Sequence, residues 1–228
     1  MKSLFSMDSK FGQLLYKLGQ LVLLSYLWLL TSIPLITCPA ACTALYYTTR
    51  KLLIGEEGKL TSTYFTAFKQ NFKQATVVGL ISMVIAAVFV LNAGALLRLG
   101  FDSIGDKIVA FLFCTIGAVL ATWLHIVPAY MARFADNNRT VMKNSFLMCL
   151  FSPLRALRVT IQVALVVGAL LYVNWIPLVP LLVSILPGAY CAVAVDSIEK
   201  IFQKHMPEET VEEIPEETKK EKIFEDVQ

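Results

Sequence analysis

Residues 75 to 97, ATVVGLISMVIAAVFVLNAGALL, run for 23 residues without a charged side chain. As a helix this stretch is about 35 Å long, enough to cross a hydrocarbon core of roughly 30 Å. A chain inside lipid must bond its own N–H and C=O groups, so such a run can only be a helix here. A second run, IVAFLFCTIGAVLATWLHIVPAYMA (108 to 132), is uncharged apart from His125. The short polar RLGFDSIGDK (98 to 107) joins the two, which predicts an antiparallel pair. Composition agrees: 16% of residues are charged and the mean hydropathy is +0.65, whereas soluble domains carry about 25% charged residues. The expected fold class is all-α, a polytopic transmembrane helical bundle with interfacial amphipathic helices.

A second hairpin is predicted from VTIQVALVVGALLYV (159 to 173) and IPLVPLLVSILPGAYCAVAV (176 to 195), joined by Asn174 and Trp175. Pro177, Pro180 and Pro187 remove backbone donors that lipid cannot replace, which predicts a kinked helix held against protein neighbours. Residues 62 to 73, STYFTAFKQNFK, carry Phe65, Phe68 and Phe72 at i, i+3, i+7, with Lys69 and Lys73 on another face and Thr61, Ser62 and Thr63 as N-cap candidates. Residues 133 to 158 mix five Arg and Lys, among them Arg139 and Lys143, with Val141, Met142, Phe146, Leu147 and Leu150. Both segments read as helices lying in the membrane interface, the second over 138 to 151, and as a surface for a cytoplasmic partner or lipid. Residues 1 to 206 hold 17 Lys and Arg against 8 Asp and Glu, and residues 207 to 228 hold 3 against 9. The chain therefore divides into one basic helical domain (1–206) and an acidic cytoplasmic tail expected to be disordered (207–228).

TSIPLITCPAACTALYYTTRKLL (31 to 53) decides the topology. If it crosses once, with the N-terminus outside, 12 Lys and Arg of residues 1 to 206 lie inside and 5 outside. If it turns between Pro34 and Pro39 and returns, 15 lie inside and 2 outside. Short retained loops keep their cations in the cytoplasm, so the hairpin fits better. Six membrane helices with both termini cytoplasmic are expected; five helices, or a partial re-entrant limb, are the alternatives. Lys17 to Pro34 and Pro39 to Ile54 make limbs of about 27 and 24 Å, so Arg50 must snorkel. No small-residue cleavage site follows the first apolar run, so no cleavable signal is expected.

Chemistry is sparse. Ionisable groups inside spans are the usual functional candidates. Here they reduce to His125, read as structural, and Asp196, read as a solvated i, i+4 pair with Lys200. Asn92 reads as an interhelical hydrogen bond. Cys38 and Cys42 share a helical face but read as small packing residues. Ala40, Ala41, Thr43 and Ala44 would let helices approach closely. A helix beginning at Pro39 inside the bundle would make Pro34, Thr37, Pro39 and Ala40 a structural turn or an anion-facing helix start. No catalytic constellation, cofactor motif or metal-ligand spacing is present, and no aromatic-interleaved basic patch points to nucleic acid.

LWLLTSIPLIT (27 to 37), TALYYTTRKLL (43 to 53), GEEG (55 to 58) and FTAFKQNFKQAT (65 to 76) together resemble the YesL family of bacterial integral membrane proteins, an uncharacterised domain family. Pro39 stands where that family often has glycine. The resemblance implies a cell-membrane protein of unassigned activity, not an enzyme, often encoded near carbohydrate uptake systems. An accessory or regulatory role, with a carbohydrate transporter or sensor as partner, is the first expectation. A small-solute transporter or channel built from a homo-oligomeric bundle is the second.

Overall fold

The computed structural model describes residues 10–56, 58–98, 103–152 and 179–205, together with Arg158 and Ile161. The acidic tail, the span 159–173 and the Asn174–Trp175 connection lie outside the described residues, apart from Ile161, as does Pro177. Six α-helices are present among the described residues: α1 (Lys10–Ser32), α2 (Cys38–Ile54), α3 (Leu60–Arg98), α4 (Ile104–Arg133), α5 (Asn138–Phe151) and α6 (Val179–His205). A single 3-10 turn, Leu35–Thr37, joins α1 to α2. Among the described residues, three helices are long and apolar enough to cross a membrane: Phe11–Ser32, Leu60–Leu96 and Ile104–Arg133.

The early proline-bearing segment doubles back. Pro39 occupies the first turn of α2, where its missing N–H costs nothing. Residues of α1 from Gln13 to Gln20 line one cleft with Thr48, Lys51, Leu52 and Gly55 from the end of α2. Gly55 ends α2 in the left-handed conformation, φ +79°, and the Glu56 N–H closes back onto the Lys51 carbonyl at 3.1 Å. This is the glycine-terminated helix end that satisfies otherwise orphaned carbonyls.

α2 is the buried centre of the bundle. Pro39, Ala40, Ala41, Thr43, Ala44, Leu45, Tyr46, Thr48 and Thr49 are all buried. Small side chains let neighbouring backbones come close, and Thr43 and Thr48 return their hydroxyls to the Pro39 and Ala44 carbonyls. Glycines on two other helices complete this close packing. At Gly79 of α3, an added Cβ would stand 2.1 Å from Pro39 Cβ. At Gly188 of α6 it would stand 2.3 Å from the Leu21 carbonyl oxygen of α1. The Gly188 N–H donates to Ser25 Oγ at 2.9 Å, immediately after Pro187, so the proline-bearing helix is held against a protein neighbour there. Tyr26 Oη and Ser184 Oγ, 2.6 Å apart, add a second tie between α1 and α6.

Two sequence expectations are corrected. Residues 62 to 73 are not a separate interfacial helix: they are the first turns of α3, which runs unbroken for 39 residues, about 58 Å. No breaker separates the amphipathic part from the span, so one helix serves both. Thr61, Ser62 and Thr63 consequently sit inside its first turn and not at an N-cap. The helix over 138 to 151 is present, capped by Asn137 Oδ1 on the Thr140 N–H at 2.9 Å. Its buried face is Val141, Ser145, Met148 and Cys149, while Phe146 and Leu150 are exposed. The apolar set 141, 142, 146, 147, 150 therefore divides between core and surface.

Replacing Gly188 with alanine forces a methyl group onto a backbone oxygen, which costs about 1–3 kcal/mol. Gly94 has no neighbour within 4 Å, and alanine there gains helix propensity. The thermal unfolding midpoint of the detergent-solubilised protein should fall for Gly188→Ala and hold or rise for Gly94→Ala. Equal midpoints would contradict the close approach of α1 and α6.

Candidate functional site: a carboxylate node beside an apolar cavity

Glu199 of α6 gathers the bundle's charge. Arg50 Nε of α2 lies 3.2 Å from its Oε1, and Arg133 of α4 pairs with its Oε2 through Nη1. Tyr46 Oη of α2 donates to Oε1 at 2.8 Å. The side chains of Glu199 and Arg133 are only 15% and 11% exposed, and that of Arg50 is 26% exposed. Arg133 also lies 5.6 Å from the ring centroids of Phe134 and Phe202. Three helices thus meet on one carboxylate, which takes both Arg50 and Arg133 among the described residues.

A further polar network continues from this node. Tyr130 packs edge-on to Phe202, donates to Asp136 Oδ2 at 2.5 Å and accepts from Asn144 Nδ2 at 2.9 Å. Gln74 Nε2 donates to the Asp136 carbonyl at 2.5 Å, which ties α3 to the end of α4.

Beside the node is a cavity of about 400 Å³ among α1, α2, α4 and α6, with Trp28, Tyr46, His125, Pro128, Tyr190 and Cys191 in its wall. Its volume is in the range of small-molecule pockets. His125 Nδ1 lies 2.7 Å from the Ala121 carbonyl. A carbonyl can only accept, so Nδ1 is the donor in this contact. The His125 and Tyr190 rings meet edge-on at 5.7 Å.

The residues singled out in the sequence fall in several places. Pro39 and Ala40 are buried, Thr37 is half-buried and Pro34 is exposed. Thr37 makes no side-chain cap on α2; its hydroxyl turns to the Thr31 and Pro34 carbonyls, and Pro39 faces Gly79. The start of α2 is therefore filled by protein. Lys69, Lys73, Arg139 and Lys143 are exposed, whereas Phe65, Phe68 and Phe72 are half-buried against the core. Asn92 bonds its own helix, donating to the Val88 carbonyl at 2.7 Å, and so is not the interhelical contact expected. Asp196 pairs with Lys200 at 2.7 Å on the exposed face of α6.

The fold defines a multi-pass α-helical membrane protein. Within it, residues 21–93 match the family model described as a protein of unknown function, DUF624. That segment runs from α1 through α2 and most of α3. No curated protein and no solved structure matches the chain.

Removing Glu199 takes away the carboxylate shared by Arg50 and Arg133 in a site largely shielded from water, a loss of about 3 kcal/mol or more. An exposed i, i+4 pair is worth about 0.5 kcal/mol or less. Glu199→Ala should therefore unfold in detergent well below the parent protein, and Asp196→Ala should unfold with it. Similar midpoints for the two variants would remove the node from the stability of the fold.

Proposed function

We propose that this chain is an accessory membrane protein that works by contact with a partner at its basic end and does not itself conduct a solute. The observation that carries this reading is the placement of charge. Arg50, Arg133 and Glu199 compensate one another inside the bundle, while Lys69, Lys73, Arg139 and Lys143 stand exposed on α3 and α5. Cations outside a span mark its cytoplasmic side, so this end, both chain termini and the acidic tail are assigned to the cytoplasm of the cell membrane. The resemblance to the YesL family supports a carbohydrate transporter or sensor as the partner. No catalytic residue or cofactor is assigned, and residues 1–206 are taken as one helical domain.

The 400 Å³ cavity favours a second reading, in which an oligomer of this chain moves a small solute. The two readings separate by experiment. On the first, affinity purification from native membranes recovers a carbohydrate transporter or sensor, and changing Lys69, Lys73, Arg139 and Lys143 together to Glu abolishes recovery without altering the unfolding midpoint. Vesicles holding the purified protein alone then show no sugar flux above empty vesicles. Flux from the protein alone, or recovery that survives the four charge reversals, overturns the first reading.

A further inference from the structure

The return limb of the hairpin, α2, is short for a crossing, and the position of the hairpin along α3 can be measured. Pro39 fills the notch at Gly79, only four residues, or about 6 Å, into the apolar run that begins at Ala75. Beyond Gly79, α3 continues to Leu97 for about another 27 Å. It does so beside α4, where Gly117 receives the Phe89 ring. Counted from the charged end, Pro39 is about 16 Å of helix from Arg50, and Ser32 is about 22 Å from Lys17. A hydrocarbon core of roughly 30 Å is longer than the whole of α2, about 26 Å, although α1 is long enough to cross one.

The chemistry of the turn agrees with this depth. Ile33, Leu35 and Ile36 are 72%, 73% and 57% exposed. In water these side chains would forfeit their burial energy; among acyl chains they forfeit none. The turn also bonds itself: the Thr37 N–H donates to the Pro34 carbonyl at 2.9 Å, and the Thr37 hydroxyl lies 2.7 Å from the same oxygen. Proline at position 34 has no N–H to satisfy. Backbone in lipid requires such internal pairing. The connection between α3 and α4 is the opposite kind of turn, with a Ser103–Asp106 capping box and Arg98 and Lys107 at its ends, as suits water.

We propose that the α1–α2 hairpin is a re-entrant limb whose tip, Ile33 to Ile36, is a lipid-contacting surface seated among acyl chains inside the bilayer, short of the far face. The proposal requires that Ala75–Leu97 crosses the membrane and is independent of any partner at the basic end.

The test uses an impermeant maleimide on the full chain, with labelling read as the increase over the parent protein and its native cysteines. Ser103→Cys should label from one face only. Leu35→Cys should label from neither face in intact membranes and fully after denaturation in detergent. Ile33→Cys provides a second reading should the Leu35 variant accumulate poorly. Labelling of Cys at 35 or 33 from the face that labels position 103 means a complete crossing and overturns the proposal. Labelling from the other face means that the tip lies outside the hydrocarbon and overturns it equally. A silent position 103 removes the crossing by α3 and the proposal with it.

Discussion

One carboxylate holds together what lipid would otherwise leave separable. Helices in a bilayer gain little from burying apolar surface against one another, because acyl chains serve as well. Specific polar contacts and close packing have to supply the rest. Glu199 supplies the first kind, drawing Arg50 and Tyr46 from α2 and Arg133 from α4 onto α6. The ion pairs are tolerated in this half-shielded site because each oxygen of Glu199 has a cation, and because Phe134 and Phe202 flank the Arg133 guanidinium.

Close packing supplies the second kind, and it is distributed unevenly. α2 is made of alanines and threonines where it meets its neighbours, and α3 and α6 contribute Gly79 and Gly188 at the points of nearest approach. The distal halves of α3 and α4 are different. Val84, Val88, Leu91, Ile108 and Phe111 are exposed, and the pair is held by the stacked rings of Phe89 and Phe113, with centroids 4.2 Å apart. The molecule has a compact end, rich in small residues and polar ties, and an open end whose side chains suit lipid.

Much of this was legible in the sequence. Uncharged runs gave the long helices of 75–97 and 108–132, and the two prolines gave the reversal of direction. The small residues after Pro39 gave the packing of α2. Continuity of α3 was hidden because amphipathic and apolar segments follow one another without a breaker, and hydropathy separates them where the backbone does not. Glu199 was hidden by Asp196, whose i, i+4 partner is easy to see. A helical count from the buried Val195, Ile198 and Phe202 places Glu199 on the same inward stripe, so its burial was recoverable from spacing. Its cations could not be recovered, since they lie 66 and 149 residues away in the chain.

The unbroken helix α3 has a structural consequence. Its first half is packed into the core through Tyr64, Ala67, Ala75 and Val78, with Gly79 seated on Pro39, and its second half is tied to α4 by the Phe89–Phe113 stack. One continuous backbone therefore joins the compact end of the molecule to the end whose side chains suit lipid, over about 58 Å.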